Sequence, residues 1–194
     1  MKVYKVPIEV SARHIHLSAT DAAILFGQEY EFNKQIKISQ PTQYAAVETV
    51  EVIGLKNSFK EVRVILPFRQ ETQLEISITD GYYLGIKPRI AVSGNLVNSA
   101  GGVVIKGPQG QIDMKSGVIA AKRHLHISPV QGKEWGIKHM DVVSVKVAGE
   151  RSLIFHNVIV RSRKGIDKLS FMLDTDEANA AGVKQGDEGE LIVN

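Results

Sequence analysis

Short segments that alternate apolar and polar residues, each cut off by turn-forming residues, recur along nearly the whole chain. "KVPIEVSA", "ETVEVIGL", "KEVRVILP", "TQLEISIT", "VVSVKVAG", "LIFHNVIVRS" and "GELIVN" all read this way. Strands of about five to seven residues at this frequency argue for a β-rich barrel or sandwich. "GLKNSF" and "KGPQGQI" read as hairpin turns. The helical patterns are about two turns each. "SATDAAILFG" offers Ser18 as N-cap and Gly27 as terminator. "SPVQGKEWG" has Ser128 as cap and Pro129 in the first helical position. "DTDEANAAG" has Asp174 or Thr175 as cap, acids in the first turn and Gly182 at its end. Helices this short suit lids on barrels rather than a helical core.

A second pattern is laid over the first. "SARHIHLS" at 11–18 and "AAKRHLHISP" at 120–129 share Arg-His-X-His, an apolar residue and Ser, and each is followed by a short helix. Four of the 6 histidines sit in these two copies. "YLGIK", "EWGIK" and "AAGVK" at 83–87, 134–138 and 180–184 add a weaker echo, and together these signals indicate two related halves. No Pro/Ser/Gly-rich linker separates them, and "SGNLVNSAGG" at 93–102 is the most loop-like stretch.

On a strand, residues i and i+2 point to the same face, so His14 and His16 are neighbours, as are His124 and His126. Two imidazoles on one rigid strand can hold one Zn²⁺. A single copy could be chance on a solvated strand; two copies in the same context favour a metal. A third ligand is needed. Glu75 shares its strand face with Gln73 and Ser77, which by pattern alone reads as an outward polar face. The echo aligns Gly85 with Gly182, and ten residues earlier it sets Glu75 over Met172.

Composition narrows the chemistry. The chain has no cysteine, which removes disulfides, thiolate nucleophiles and Cys-type zinc sites together. Its formal charge of +3 is scattered and aromatics are 6%, so nothing in it suggests nucleic-acid binding. No apolar run is long enough to span a membrane, and "MKVYKVPIEV" has no signal-peptide pattern, which makes the cytoplasm the expected location.

"VSARHIHLS", "FRQETQLEIS", "GVIAAKRHLHISP" and "LDTDEANAAG" together resemble the propanediol-utilization type phosphotransacylase, or phosphate propanoyltransferase, family, from about residue 5 to 193. The resemblance implies a mainly β protein of two small β-barrels capped by short helices. Residues 1–12 plus 121–194 would form one barrel and 13–120 the other. It implies reversible transfer of a short acyl group between coenzyme A and phosphate; the lack of cysteine is consistent with direct transfer, with a Ser nucleophile left open. It also implies two metal ions, usually zinc. Carried over, one metal takes His14, His16 and Glu75, and the other takes His124, His126 and a third histidine. Arg69, six residues before the glutamate, binds phosphate and serves the catalysis; from residue type alone it reads as a surface ion-pair partner. A homodimer is expected from the family. Members that work inside bacterial microcompartments often carry an extra N-terminal targeting helix. Here the core strand begins by residue 3, so association with a shell would go through a partner.

The sequence departs from this pattern where the third histidine is expected, because "FMLDTDEAN" places Met172 there. Thioether is a poor zinc ligand beside two imidazoles. Three alternatives stand: two histidines with solvent or substrate, a substitute ligand such as His156, or a second site that has lost its metal. His156 alternates with Ile154, Val158 and Val160, which favours a core or edge histidine, and His139 looks like a surface residue. Leu66 precedes the Pro-X-Arg of the arginine motif where glycine is usual, and "PRIAVSG" shifts Arg89 relative to Ser93. A catalytically impaired relative that binds metal or coenzyme A, and a metal-dependent acyl-CoA hydrolase, therefore stand beside the transferase. Asp174, Asp176 and Glu177 read as capping and first-turn charges rather than catalytic carboxylates.

Overall fold

A computed structural model describes residues 2–193. Met1 and Asn194, at the ends of the expected first domain and last strand, lie outside the described residues. In chain order the elements are β1 (Lys2–Ser11), β2 (His14–His16), α1 (Ala19–Phe26), β3 (Lys34–Lys37), β4 (Tyr44–Ile53), β5 (Ser58–Leu66), β6 (Gln73–Glu75) and α2 (Ile78–Leu84). There follow β7 (Arg89–Ala91), β8 (Val103–Lys106), β9 (Gln111–Met114), β10 (Val118–Ala121), β11 (His124–His126) and α3 (Pro129–Trp135). The chain ends with β12 (Val142–Val147), β13 (Leu153–Arg161), β14 (Ser170–Asp174), α4 (Thr175–Ala181) and β15 (Glu188–Val193). The fold is mainly β with short helices, the class that the alternating pattern indicates.

Two compact units share the chain. One comprises Met1–Ala12, Ser39–Thr42 and Lys122–Asn194; the other comprises Arg13–Ile38 and Gln43–Ala121. The first is a closed barrel in the order β1-β14-β11-β13-β12-β15. Its core gathers Val6, Ile8, Leu125, Val145, Phe171 and Leu191, all fully or nearly fully buried. The second carries a nine-stranded sheet, ordered β7-β10-β6-β2-β5-β4-β8-β9 with β3 paired to β4. Ile15, Leu17, Leu25, Val64, Leu74 and Ile105 fill its core. Burying each such side chain contributes about 1.5–3 kcal/mol.

Helix starts are set by side chains that accept the otherwise unpaired N–H groups of the first turn. Ser18 accepts from Asp21, Ser77 from Asp80, Ser128 from Gln131 and Asp174 from Glu177. One expectation is corrected here. "TQLEISIT" is not a continuous strand, because only Gln73–Glu75 is extended and Ser77 then caps α2. A reciprocal capping box between Ser77 and Asp80 provides the reason, since the N–H groups that a longer strand would spend on a ladder are used to start a helix.

The internal repeat extends to hydrogen-bond detail. β2 runs antiparallel to β6 and parallel to β5; β11 runs antiparallel to β14 and parallel to β13. The strand before each His-X-His motif pairs in parallel with the third-ligand strand of the other half: β10 with β6, and β1 with β14. Past α3, Lys138 N–H donates to the Asp141 carboxylate at 2.9 Å; past α4, Lys184 N–H donates to Asp187 at the same 2.9 Å. The matching third residues, Met140 and Gly186, both have positive φ, 71° and 91°. Glycine adopts that conformation freely, whereas Met140 holds it against its own Cβ.

Gly54, after β4, lies against the end of α2. A Cβ there would sit 2.3 Å from the Leu84 carbonyl oxygen and 2.7 Å from the Leu84 Cβ. Gly54→Ala is expected to lower unfolding free energy by about 1–3 kcal/mol. A urea midpoint equal to that of the parent would show that this helix–strand approach is not tight.

Candidate metal centres

In β2 and β6 the antiparallel register sets His14 opposite Glu75, Ile15 opposite Leu74 and His16 opposite Gln73. Directly opposed side chains share a face, so the two histidines and the glutamate converge while Ile15 and Leu74 enter the core. One ligand atom from each of His14, His16 and Glu75 lies within 4.8 Å of the others. Glu75 Oε1 is 3.7 Å from both His14 Nε2 and His16 Nε2. This corrects the outward polar face read from alternation. Gln73, Glu75 and Ser77 are all buried.

Arg69 enters the same cluster. Its Nη2 donates to His16 Nε2 at 2.8 Å, its Nη1 donates to Ser93 Oγ at 3.2 Å, and Nη1 stands 3.8 Å from Glu75 Oε1. Backbone pairing places it, since Arg69 N–H donates to the Leu17 carbonyl just past β2. Glu75 also accepts from Ser93 Oγ at 2.8 Å and from the Gln73 amide, and the Gln73 carbonyl accepts from Gly94 N–H.

Electrostatics separate the protonation states. Burial lowers the His16 pKa well below its ordinary value, and the charges of His14 and Arg69 add to that. Burial works to raise Glu75, yet charge and hydrogen bonding from His14, with His16 and Arg69 behind, hold it well below the usual carboxylate range. An ionised carboxylate beside a neutral imidazole is the state a metal ligand set requires. The donor set of two imidazole nitrogens and a carboxylate oxygen suits Zn²⁺.

The second histidine pair is built on the same plan. In β11 and β14, His124 faces Met172, Leu125 faces Phe171 and His126 faces Ser170. Met172 thus stands opposite His124 as Glu75 stands opposite His14, and its sulfur lies 3.6 Å from Ser170 Oγ. His124 Nδ1 is 2.9 Å from the Lys122 carbonyl oxygen, and His126 Nδ1 is 2.7 Å from Asp167 Oδ1. Both partners only accept, which assigns the protons to Nδ1 and leaves a lone pair on each Nε2. Those two Nε2 atoms are 3.1 Å apart. Facing lone pairs repel unless a proton or a cation lies between them. A proton on one ring, donated to the other, satisfies the contact as well as a cation would.

Asp167 was not visible in the sequence pattern. It sits in the loop before β14, fully buried at its side chain, and takes two hydrogen bonds from Arg163 at 2.8 and 2.9 Å. Burial would raise its pKa, but the bonds from Arg163 and His126 outweigh burial and hold it far below the ordinary carboxylate value. The only hint was the basic "RSRKG" four residues away. His156 does not join the second pair. It is exposed on β13 and bonded to Ser144, beside a left-handed Asn157, which corrects the core-or-edge expectation. Arg89 is exposed and bonded to the Val97 carbonyl, and His139 is on the surface as expected. Asp174 and Glu177 serve as cap and capping-box partner of α4. No helix among the described residues is long and apolar enough to cross a membrane.

The sequence profile of the phosphate propanoyltransferase family matches residues 7–184. A phosphate propanoyltransferase of Thermotoga maritima is 46% identical over 181 residues, covering 93% of this chain and 85% of the relative. One from Rhodobacter capsulatus is 45% identical over 179 residues, covering 92% and 82%. One from Rhodopseudomonas palustris is 42% identical over 185 residues, covering 95% and 80%.

Asp167→Ala removes the acceptor of His126 and the carboxylate of Arg163 together. It is expected to lower stability by about 1.5–3 kcal/mol, the range for hydrogen bonds to charged groups. A denaturant midpoint unchanged from the parent would show that the Arg163–Asp167–His126 chain is not formed in solution.

Proposed function

The chain belongs to the phosphate propanoyltransferase family, and from that premise we propose that it moves a short acyl group reversibly between coenzyme A and phosphate, assisted by zinc held on the two histidine pairs. In the forward direction the thioester C–S bond breaks and a C–O bond to phosphate forms. The phosphate proton leaves with the coenzyme A sulfur as the thiol. The observation that carries this reading is the position of Arg69, whose guanidinium meets both His16 and Ser93 and stands beside Glu75.

Arg69 offers a planar fork to a phosphate, which on its own is a poor and freely rotating nucleophile. An anion bound there would lie against the three side chains proposed as metal ligands. Ser93 and Gln73 hold the Glu75 carboxylate in place, and their bonds to one another leave it little freedom to turn. His14, His16 and Glu75 would hold one ion; His124 and His126 would hold the other, with Met172 opposite them. Zinc bound there supplies Lewis-acid polarisation of the thioester carbonyl and an affinity for the departing sulfur. Asp167 fixes His126 in the tautomer whose Nε2 faces inward. With Met172 in the third position, the second ion is the more weakly held of the two.

The test combines metal content with product. The purified protein, supplied with acetyl- or propionyl-CoA and phosphate, is expected to form acyl-phosphate, and elemental analysis is expected to find zinc. Arg69→Ala should lower kcat/KM for phosphate by about 10²-fold or more while leaving zinc content unchanged. Thioester cleavage that does not depend on phosphate would favour a hydrolase; zinc without turnover would favour an impaired binding protein. Met172→His is expected to slow the loss of the weaker ion to a chelator. If that substitution changes neither chelator release nor rate, Met172 does not occupy the third ligand position.

A further inference from the structure

We propose that Arg13 and Arg123 are positioning residues, each clamping a His-X-His strand in register against the strand that carries the third-ligand position. The proposal rests on the reading of the histidine pairs as metal anchors.

The two arginines meet matching partners in the two halves, Arg13 through two N–H groups and Arg123 through Nε. Arg13 donates from Nε and Nη2 to Asp80 Oδ1 at 3.1 and 2.7 Å. Arg123 Nε pairs with Glu177 Oε1 at 2.7 Å. Asp80 and Glu177 are the matching capping-box residues of α2 and α4, and each lies five positions past the third-ligand position, Glu75 or Met172. Each carboxylate is divided in the same way. One oxygen takes the arginine, and the other takes the backbone N–H of the helix N-cap, Ser77 or Asp174. Each guanidinium also covers an aromatic ring, Phe59 at 4.1 Å or Phe155 at 5.4 Å. Those rings lie four residues before Arg63 and Ile159, the parallel-strand partners of His14 and His124.

The physical need for a clamp comes from the length of the strands. β2 and β6 meet over three residue pairs, as do β11 and β14. Burial of Ile15 opposite Leu74, and of Leu125 opposite Phe171, fixes which face each strand presents, but so short a ladder has few backbone bonds of its own to hold the strand ends in place. The capping boxes are complete without the arginines, so helix starting does not account for them. What each arginine adds is a bond from the residue just before the first histidine to the helix just after the third-ligand position. It also rests on the strand that flanks the histidines on their other side. A guanidinium can make all these contacts at once because it is flat and forked.

Zinc affinity, read by competition with a chromophoric chelator, tests this. Glu75→Ala is measured first; if the parent binds no zinc, or Glu75→Ala binds it as the parent does, the metal reading itself fails. With that reading standing, Arg13→Ala is expected to weaken the tighter ion about 10-fold or more and leave the weaker one unchanged. Arg123→Ala is expected to do the reverse. Arg13→Lys, which keeps charge but loses the fork, should fall between, and it carries the test where the alanine variant does not fold. The visible spectrum of the cobalt-substituted protein should shift in the affected half only. Unaltered affinities in the arginine variants, or equal weakening of both ions along with a lower Tm, would overturn the proposal.

Discussion

A three-residue antiparallel pairing governs what the second unit can do. Because His14 faces Glu75 and His16 faces Gln73, two imidazoles, a carboxylate and an amide all fall on one side of the sheet. The alternate residues, Ile15 and Leu74, are fully buried on the other. Core and site are thus specified by the same few backbone bonds. Any disturbance that unseats Leu74 also moves Glu75, and the chemistry inherits the rigidity of the core.

The barrel repeats this arrangement with different side chains. Opposite the second histidine, Ser170 replaces Gln73; opposite the first, Met172 replaces Glu75. In the second unit, the carboxylate that balances positive charge is Glu75, directly beside both histidines. In the barrel, the carboxylate bonded to the pair is Asp167, set behind His126 on the Nδ1 side of the ring. Negative charge is therefore retained but withdrawn from direct reach of whatever lies between the two Nε2 atoms. An uncharged sulfur stands at the position that matches Glu75, which makes the two halves chemically unequal on one backbone plan.

Much of this was legible in the sequence for a definite reason. Strand alternation, caps and terminators depend on neighbours close in the chain, so Ser18, Ser128, Asp174 and Gly182 could be read directly. The alignment of Glu75 with Met172 was also legible, because duplication left equal spacing to Gly85 and Gly182. The extent of β6 was not, since the alternating "QLEIS" satisfies a strand pattern and the competing capping box depends on Ser77 and Asp80 three residues apart. Asp167 and Ser93 were hidden for a different reason. They reach the histidines and Glu75 through loops, and no local spacing records where a loop returns. The four residues Ser39–Thr42 are the extreme case. Gln40 is buried and bonds Lys168 and Ser170, more than a hundred residues away, with nothing nearby in sequence to indicate it.

The barrel is closed by strands far apart in the sequence. β1 is flanked by β14 and β15, so residues 2–11 find both partners only among residues 170–193. Loop closure of that length is slow compared with the local hairpins of the second unit. On the ribosome, β1 must wait for β14 and β15 to emerge. Its apolar face, Val6 and Ile8, stays uncovered by those strands until they are made. Pro7 lies between those two residues and lacks a backbone N–H, which leaves the waiting strand a poorer template for pairing with a neighbouring chain.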